Sequence, residues 1–105
     1  MMRKKRSDRR HIVYILTNTV TGQKYVGITA GYSKKHLLVR VQKHIWRAFN
    51  EDKGWDLCNS IVQYGTENHT YGIYAVVRGK QAAHELERSM IATNQFSLNH
   101  TGLTK

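Results

Sequence analysis

His11-Ile12-Val13-Tyr14-Ile15-Leu16-Thr17, then Asn18-Thr19-Val20-Thr21-Gly22-Gln23, then Lys24-Tyr25-Val26-Gly27-Ile28-Thr29 is the stretch on which the fold turns. The first seven residues are mostly β-branched, aromatic or aliphatic and predict a strand over 11–17. The middle six are polar, with Gly22 placed where a turn needs positive φ. Residues 24–29 resume as a second strand. Two strands joined by a short polar loop make an antiparallel hairpin.

Outward from the hairpin, a loop over 31–35 leads to residues 36–50, where the period becomes helical. Leu38, Val41, Ile45 and Phe49 recur at spacings of three and four and predict one buried stripe. Asp52, Lys53 and Gly54 break that helix. A shorter helix follows over 56–64, buried through Leu57, Ile61 and Tyr64 and ended by Gly65. Residues 70–78 carry Tyr71, Ile73, Tyr74, Val76 and Val77 and predict a third strand that stops at Gly79. A last helix is expected over 80–93, with Ala83, Leu86, Met90 and Ile91 inward, then an irregular tail over 96–105 anchored by Phe96 and Leu98. The fold class is α+β: a three-stranded antiparallel sheet flanked by helices, in the order ββααβα.

The 105 residues suit one small domain, and 40% hydrophobic content suits folding rather than disorder. Seventeen Lys plus Arg against seven Asp plus Glu give a net charge of +10, which favours a polyanionic partner, most often nucleic acid. Residues 1–10 hold six basic side chains and one acid, so half of that charge lies in a tenth of the chain. They are expected to form a flexible basic arm before a single domain over 11–105. In the arm, Arg3, Lys4, Lys5, Arg6, Arg9 and Arg10 are candidate nucleic-acid contacts. A lone Cys58 excludes an internal disulfide and a cysteine-only zinc cage, and fits a reducing compartment. No apolar run approaches the roughly 20 residues that span a bilayer, and no signal-peptide pattern is present. A cytoplasmic protein acting at nucleic acid, with no membrane contact, is the expectation.

Three sets of polar residues sit where an inert core would not want them. Glu87 lies among Ala83, Met90 and Ile91, where a carboxylate is costly unless paired or bound to a cation. A structural salt bridge is the plain alternative. Arg40 and His44 share one side of the first long helix, four residues apart, and Arg47 extends the row by a turn. A solvated basic face is the alternative there. Tyr14 and Tyr25 lie on adjacent strands, which by itself is ordinary for β-formers.

Together these residues resemble the signature of the GIY-YIG nuclease superfamily. Ile12-Val13-Tyr14 stands for the first triplet, without its glycine, and Tyr25-Val26-Gly27 for the second, the tyrosines eleven positions apart. Arg40 with His44, Glu87 with Ile91 four residues on, and Asn99 follow in the family's order, over residues 11–102. A literal Gly72-Ile73-Tyr74 has no Tyr-Ile/Val-Gly after it and is read as a decoy. The chain between Gly27 and Arg40 is a few residues longer than in compact relatives, and Ile28 and Thr29 stand where some relatives carry a lysine. Glu85 competes with Glu87 but lacks the aliphatic residue at +4.

The resemblance implies a small standalone endonuclease that hydrolyses DNA phosphodiesters with one Mg2+ (or Mn2+) held by Glu87. Magnesium keeps several waters, so a single protein carboxylate suffices. Tyr25, with Tyr14 nearby, would orient or deprotonate the attacking water, and Arg40 would grip the scissile phosphate. His44 would contact phosphate or shuttle a proton, and Asn99 would fix Glu87 or a tyrosine hydroxyl. Lys34, Lys35, Lys43 and Arg47 join the arm as expected contacts to double-stranded or branched DNA. One centre nicks one strand, so a double-strand break calls for a homodimer on DNA or two visits. The alternatives are an inactive nucleic-acid-binding module of the same fold, a His-Asn-His metal finger drawn from Asn68, His69, Asn99 and His100, and a ribosomal or RNA-packaging protein.

Overall fold

A computed structural model of the chain describes residues 9–51, 56–93 and 95–99. In order these form β1 (Arg10–Asn18), β2 (Lys24–Ala30), α1 (Lys34–Asn50), α2 (Asp56–Tyr64), a short 3-10 turn (Thr66–Asn68), β3 (His69–Arg78), α3 (Lys80–Ile91) and a second 3-10 turn (Ser97–Asn99). The fold is α+β, with three antiparallel strands in the order β2-β1-β3 and three helices. Residues 1–8 and the helix break at 52–54 lie outside the described residues. Arg10, expected in the arm, pairs with Arg78 at the start of the sheet.

Side-chain alternation along the central strand sets the layers. Ile12, Tyr14 and Leu16 point to one face, where they pack with Leu37 and Val41 of α1, Leu57, Cys58 and Ile61 of α2, and Leu98. Val13 points to the other, where it packs with Val26, Ala83 and Met90 of α3, and Phe96. The sheet is therefore a middle layer between α1–α2 and α3. Each fully buried aliphatic side chain in these clusters contributes about 1.5–3 kcal/mol.

The turn is built by Asn18. Its Oδ1 accepts from the Val20 and Thr21 backbone N–H groups at 2.9 and 3.1 Å, and Gly22 supplies φ +78°. The buried Asn18 amide donates to Ser60 Oγ at 2.8 Å, and Ser60 lies 2.8 Å from His69 Nε2. His69 Nδ1 lies 2.8 Å from the Gly65 carbonyl. The residue once considered for a metal finger thus closes a chain of hydrogen bonds that ties α2 to both β1 and β3. Of the other candidates, Asn68 donates its Nδ2 to the Tyr64 carbonyl at 2.6 Å, Asn99 is bonded to the backbone of β2, and His100 lies outside the described residues.

The buried stripe of α1 differs from the expected one. Leu37, Val41, His44 and Ala48 are buried, whereas Leu38 is 41% and Phe49 56% exposed. The helix is rotated so that a polar residue, His44, enters the core with a hydrogen bond, and the small Ala48 occupies the place assigned to Phe49. Lys34 and Lys35, expected in a loop, open this helix. In α3, Ala83 and Met90 are buried as expected, but Ile91 ends the helix exposed. In β3, Tyr74 is the extra residue of a bulge opposite Val13 and Tyr14, and its side chain is exposed. The decoy triplet therefore presents its tyrosine to solvent.

Candidate active site

The hairpin register explains the spacing of the two tyrosine triplets. Tyr14 stands opposite Gly27 and Leu16 opposite Tyr25, so both phenols lie on the α1 face and on a diagonal. Their ring centroids are 6.2 Å apart. Gly27 is required by that packing. A Cβ there would lie 2.6 Å from the Tyr14 hydroxyl oxygen, 2.7 Å from its Cζ and 2.8 Å from Tyr25 Cε1.

Helix α1 brings its polar row onto the same spot. His44 Nε2 is 2.7 Å from the Tyr14 hydroxyl in a buried hydrogen bond. The His44 ring also meets Tyr25 edge-on, with centroids 5.3 Å apart. One turn earlier on that row, Arg40 Nε is buried with no hydrogen-bond partner. A buried donor left unpaired costs about 1–3 kcal/mol, a cost that an ordered water, an ion or a ligand acceptor would remove.

Burial pushes the Tyr14 phenol above its ordinary pKa, and the Arg40 guanidinium beside it partly offsets the rise. Burial raises Tyr25 as well, with the neighbouring Tyr14 adding to it. The Glu87 charge raises both tyrosines, so this carboxylate acts on the phenol pair from α3. Burial lowers His44 to about 4, helped by Arg40 and Arg47. At neutral pH the phenols therefore keep their protons and the imidazole is uncharged. The two phenols also act on one another, the interaction lowering Tyr14 and raising Tyr25. With the ring uncharged, the Tyr14–His44 bond has one donor and one acceptor, set by which ring nitrogen carries the proton. Of the two phenols only Tyr25 is reached by solvent, since Tyr14 is fully buried.

Glu87 sits on α3 with its side chain 19% exposed and Oε1 3.6 Å from His84 Nδ1. Glu85 is exposed and accepts from Gln81 Nε2 at 3.4 Å on its own helix. Asn99 touches neither Glu87 nor a phenol through its described hydrogen bonds. Its Oδ1 accepts from Val26 N–H at 2.9 Å and its Nδ2 donates to the Val26 carbonyl at 2.7 Å. It is a two-point clamp on β2, between Tyr25 and Gly27.

The expected DNA contacts divide. Lys34, Lys35 and Lys43 are exposed on α1. Arg47 reaches Glu51, one turn on, at 4.0 Å. Arg9 and Arg10 border the sheet, and Arg3, Lys4, Lys5 and Arg6 lie outside the described residues. No His/Cys/Asp/Glu group of three or more able to hold a metal occurs among the described residues. A single carboxylate such as Glu87 could hold a hard cation that keeps most of its water, whereas zinc takes several protein ligands. Among the described residues no helix is long and apolar enough to cross a membrane. No family model matches the chain, and no curated protein or solved structure matches it.

Sequence reading missed the cluster of Arg10, Tyr32 and His36 at the β2–α1 corner, and Lys80 with His84 on α3. The available signal was Tyr32 itself, a single aromatic between a glycine and a basic run.

Proposed function

We propose that this chain is a divalent-metal-dependent DNA endonuclease of the GIY-YIG type, hydrolysing phosphodiester bonds at the Tyr14–Tyr25–Arg40–His44–Glu87 centre. The observation that carries the reading is the unpaired, buried Nε of Arg40 beside two phenols and a neutral imidazole. A phosphate oxygen reaching the half-buried Arg40 guanidinium gains charge-assisted bonds of about twice ordinary strength. Positive charge held at that point stabilises the phosphorane as it forms.

Tyr25, the accessible phenol, orients the attacking water. With a raised pKa it is a poor base by itself, so it works by passing its own proton on as it receives one. Tyr14 is the next member of that relay and His44 Nε2 the terminal acceptor, open because burial keeps the ring unprotonated. Glu87 would hold Mg2+ or Mn2+, which when bound supplies charge to polarise the phosphate and stabilise the departing 3′ oxygen. Asn99 keeps β2, and with it Tyr25, in register.

Supercoiled plasmid incubated with the purified chain and Mg2+ tests the proposal. Nicking that stops in EDTA and disappears in Glu87→Ala, with DNA binding retained, supports it. Tight binding without nicking under all metal conditions overturns it and leaves a nucleic-acid-binding module.

A further inference from the structure

Three adjoining depressions follow the rim where β1 begins, β2 ends and α3 starts. The first lies over Glu87 and Arg88 and includes Lys80 and His84. The second shares Lys80 and His84 and reaches Arg9 and Ala30. The third shares Arg9 and Ala30 and ends at Tyr32 and His36. Together they make one trench from the proposed metal carboxylate to the β2–α1 corner. Among the described residues that line it, Glu87 is the sole acid, against Arg9, Arg10, Lys80 and Arg88.

The far end is a built aromatic platform. Tyr32 is 61% exposed, yet it is held on several sides. Arg10 Cζ stands 5.9 Å above its ring centroid, and the His36 ring meets it edge-on at 5.0 Å. The Tyr32 N–H donates to His36 Nδ1 at 3.3 Å, and the Gly31 N–H donates to the Arg10 carbonyl at 2.9 Å. Gly31 has φ +138°, and a Cβ there would lie 2.5 Å from His36 Cβ. The corner is thus shaped to bring His36 against the backbone and hold Tyr32 outward. Exposed apolar area kept rigid in this way suits a flat ligand, and a cationic trench leading to it suits a phosphate chain.

We infer that one strand of the substrate runs along this trench from Glu87 past Lys80 and Arg9, and that an unpaired base stacks on Tyr32. The substrate class is then DNA with a single-stranded segment beside the cut, in preference to uninterrupted duplex. This rests on the nuclease reading for the role of Glu87, but the binding subsite stands on its own residues. From Glu87 to Lys80 is seven residues of helix, about 10 Å at ~1.5 Å each, or about three stacked nucleotides at ~3.4 Å. The stacked base therefore lies beyond the third nucleotide from the carboxylate.

Fluorescence anisotropy in EDTA measures this without any cleavage, using a labelled blunt duplex and the same duplex carrying an oligothymidine tail. Wild-type protein should bind the tailed DNA more tightly. Tyr32→Ala should weaken tailed binding about tenfold or more, as loss of one base–aromatic stack does, and erase the preference over blunt DNA. Tyr32→Phe, which keeps the ring, should retain it. Lys80→Ala should lower the salt dependence of tailed binding by about one counterion. Equal affinity of wild type for both DNAs, or an unchanged preference in Tyr32→Ala, overturns the inference. A tail preference that depends on Tyr32 in a protein that never nicks plasmid sustains the subsite while refuting the nuclease reading. Nicking without such a preference does the reverse.

Discussion

Gly27→Ala is the substitution whose cost can be worked most directly from the geometry. Gly27 does not occupy the left-handed region, so alanine brings no backbone strain, and the whole effect is steric. The new Cβ would lie 2.6–2.8 Å from atoms of both phenol rings. Tyr14 cannot retreat freely because it is fully buried and bonded to His44 at 2.7 Å. Overpacking of this kind costs about 1–3 kcal/mol. Pulling the Tyr14 hydroxyl from its partner adds about 1–3 kcal/mol. At about 4–8 °C per kcal/mol for a domain near this size, the melting temperature should fall by at least about 10 °C. Thermal unfolding followed by circular dichroism measures it, with Gly72→Ala as the matched control. Gly72 lies in the same sheet, and a Cβ there meets nothing within 4 Å. Combining Gly27→Ala with Tyr14→Phe should recover part of the loss, since the nearest clashing atom is removed while Cζ and Tyr25 Cε1 remain. If Gly27→Ala melts with Gly72→Ala and the wild type, the phenols do not rest on the β2 backbone and the described site is wrong.

Other consequences follow from the same centre. His44 is lowered from 6.5 to about 4, so the unfolded chain binds its proton more readily than the folded one between those values. Stability from this group is full above about pH 6.5 and is lost as pH falls through about 4, a difference of about 3 kcal/mol; urea titrations should show it, and His44→Gln should flatten it. Tyr14 and Tyr25 are shifted the other way, so their neutral forms favour folding and that contribution is lost above pH 10. Absorbance titration should find two of the six tyrosines ionising late in wild type, and one fewer late ionisation in Tyr25→Phe. Asn99→Ala removes both bonds to the Val26 backbone and should cost about 1–3 kcal/mol, with faster amide exchange in β2 as the local readout.

The strands and the tyrosine pair were legible because period-two alternation and a turn with Gly22 are local signals, and a hairpin register follows from them. The phase of α1 was not. A template that counts apolar residues selects Leu38, Val41, Ile45 and Phe49, but the core face admits His44, whose cost is met by Tyr14 on a strand 30 residues away. No local pattern announces that partner. Asn99 was singled out only through the resemblance, and its bonds to the Val26 backbone depend on where the tail crosses β2. Glu87 could be preferred over Glu85 because helical phase is short-range, and the structure leaves Glu85 exposed. Tyr32 escaped notice because an exposed aromatic in a polar loop looks like its surroundings until Arg10 and His36 are brought to it by the fold.

In the proposed nuclease, Tyr25, relayed through Tyr14 to His44, serves hydrolysis at a phosphate held by Arg40. Single-turnover cleavage of an end-labelled tailed duplex in Mg2+, compared between wild type and Tyr25→Phe, tests it most directly, because the ring and its packing are kept and one hydroxyl is removed. The rate should fall by about a hundredfold or more, a hundredfold being the lower end of what such proton transfer supplies, while affinity for the same DNA stays within about twofold. Cleavage by Tyr25→Phe at the wild-type rate would contradict the account.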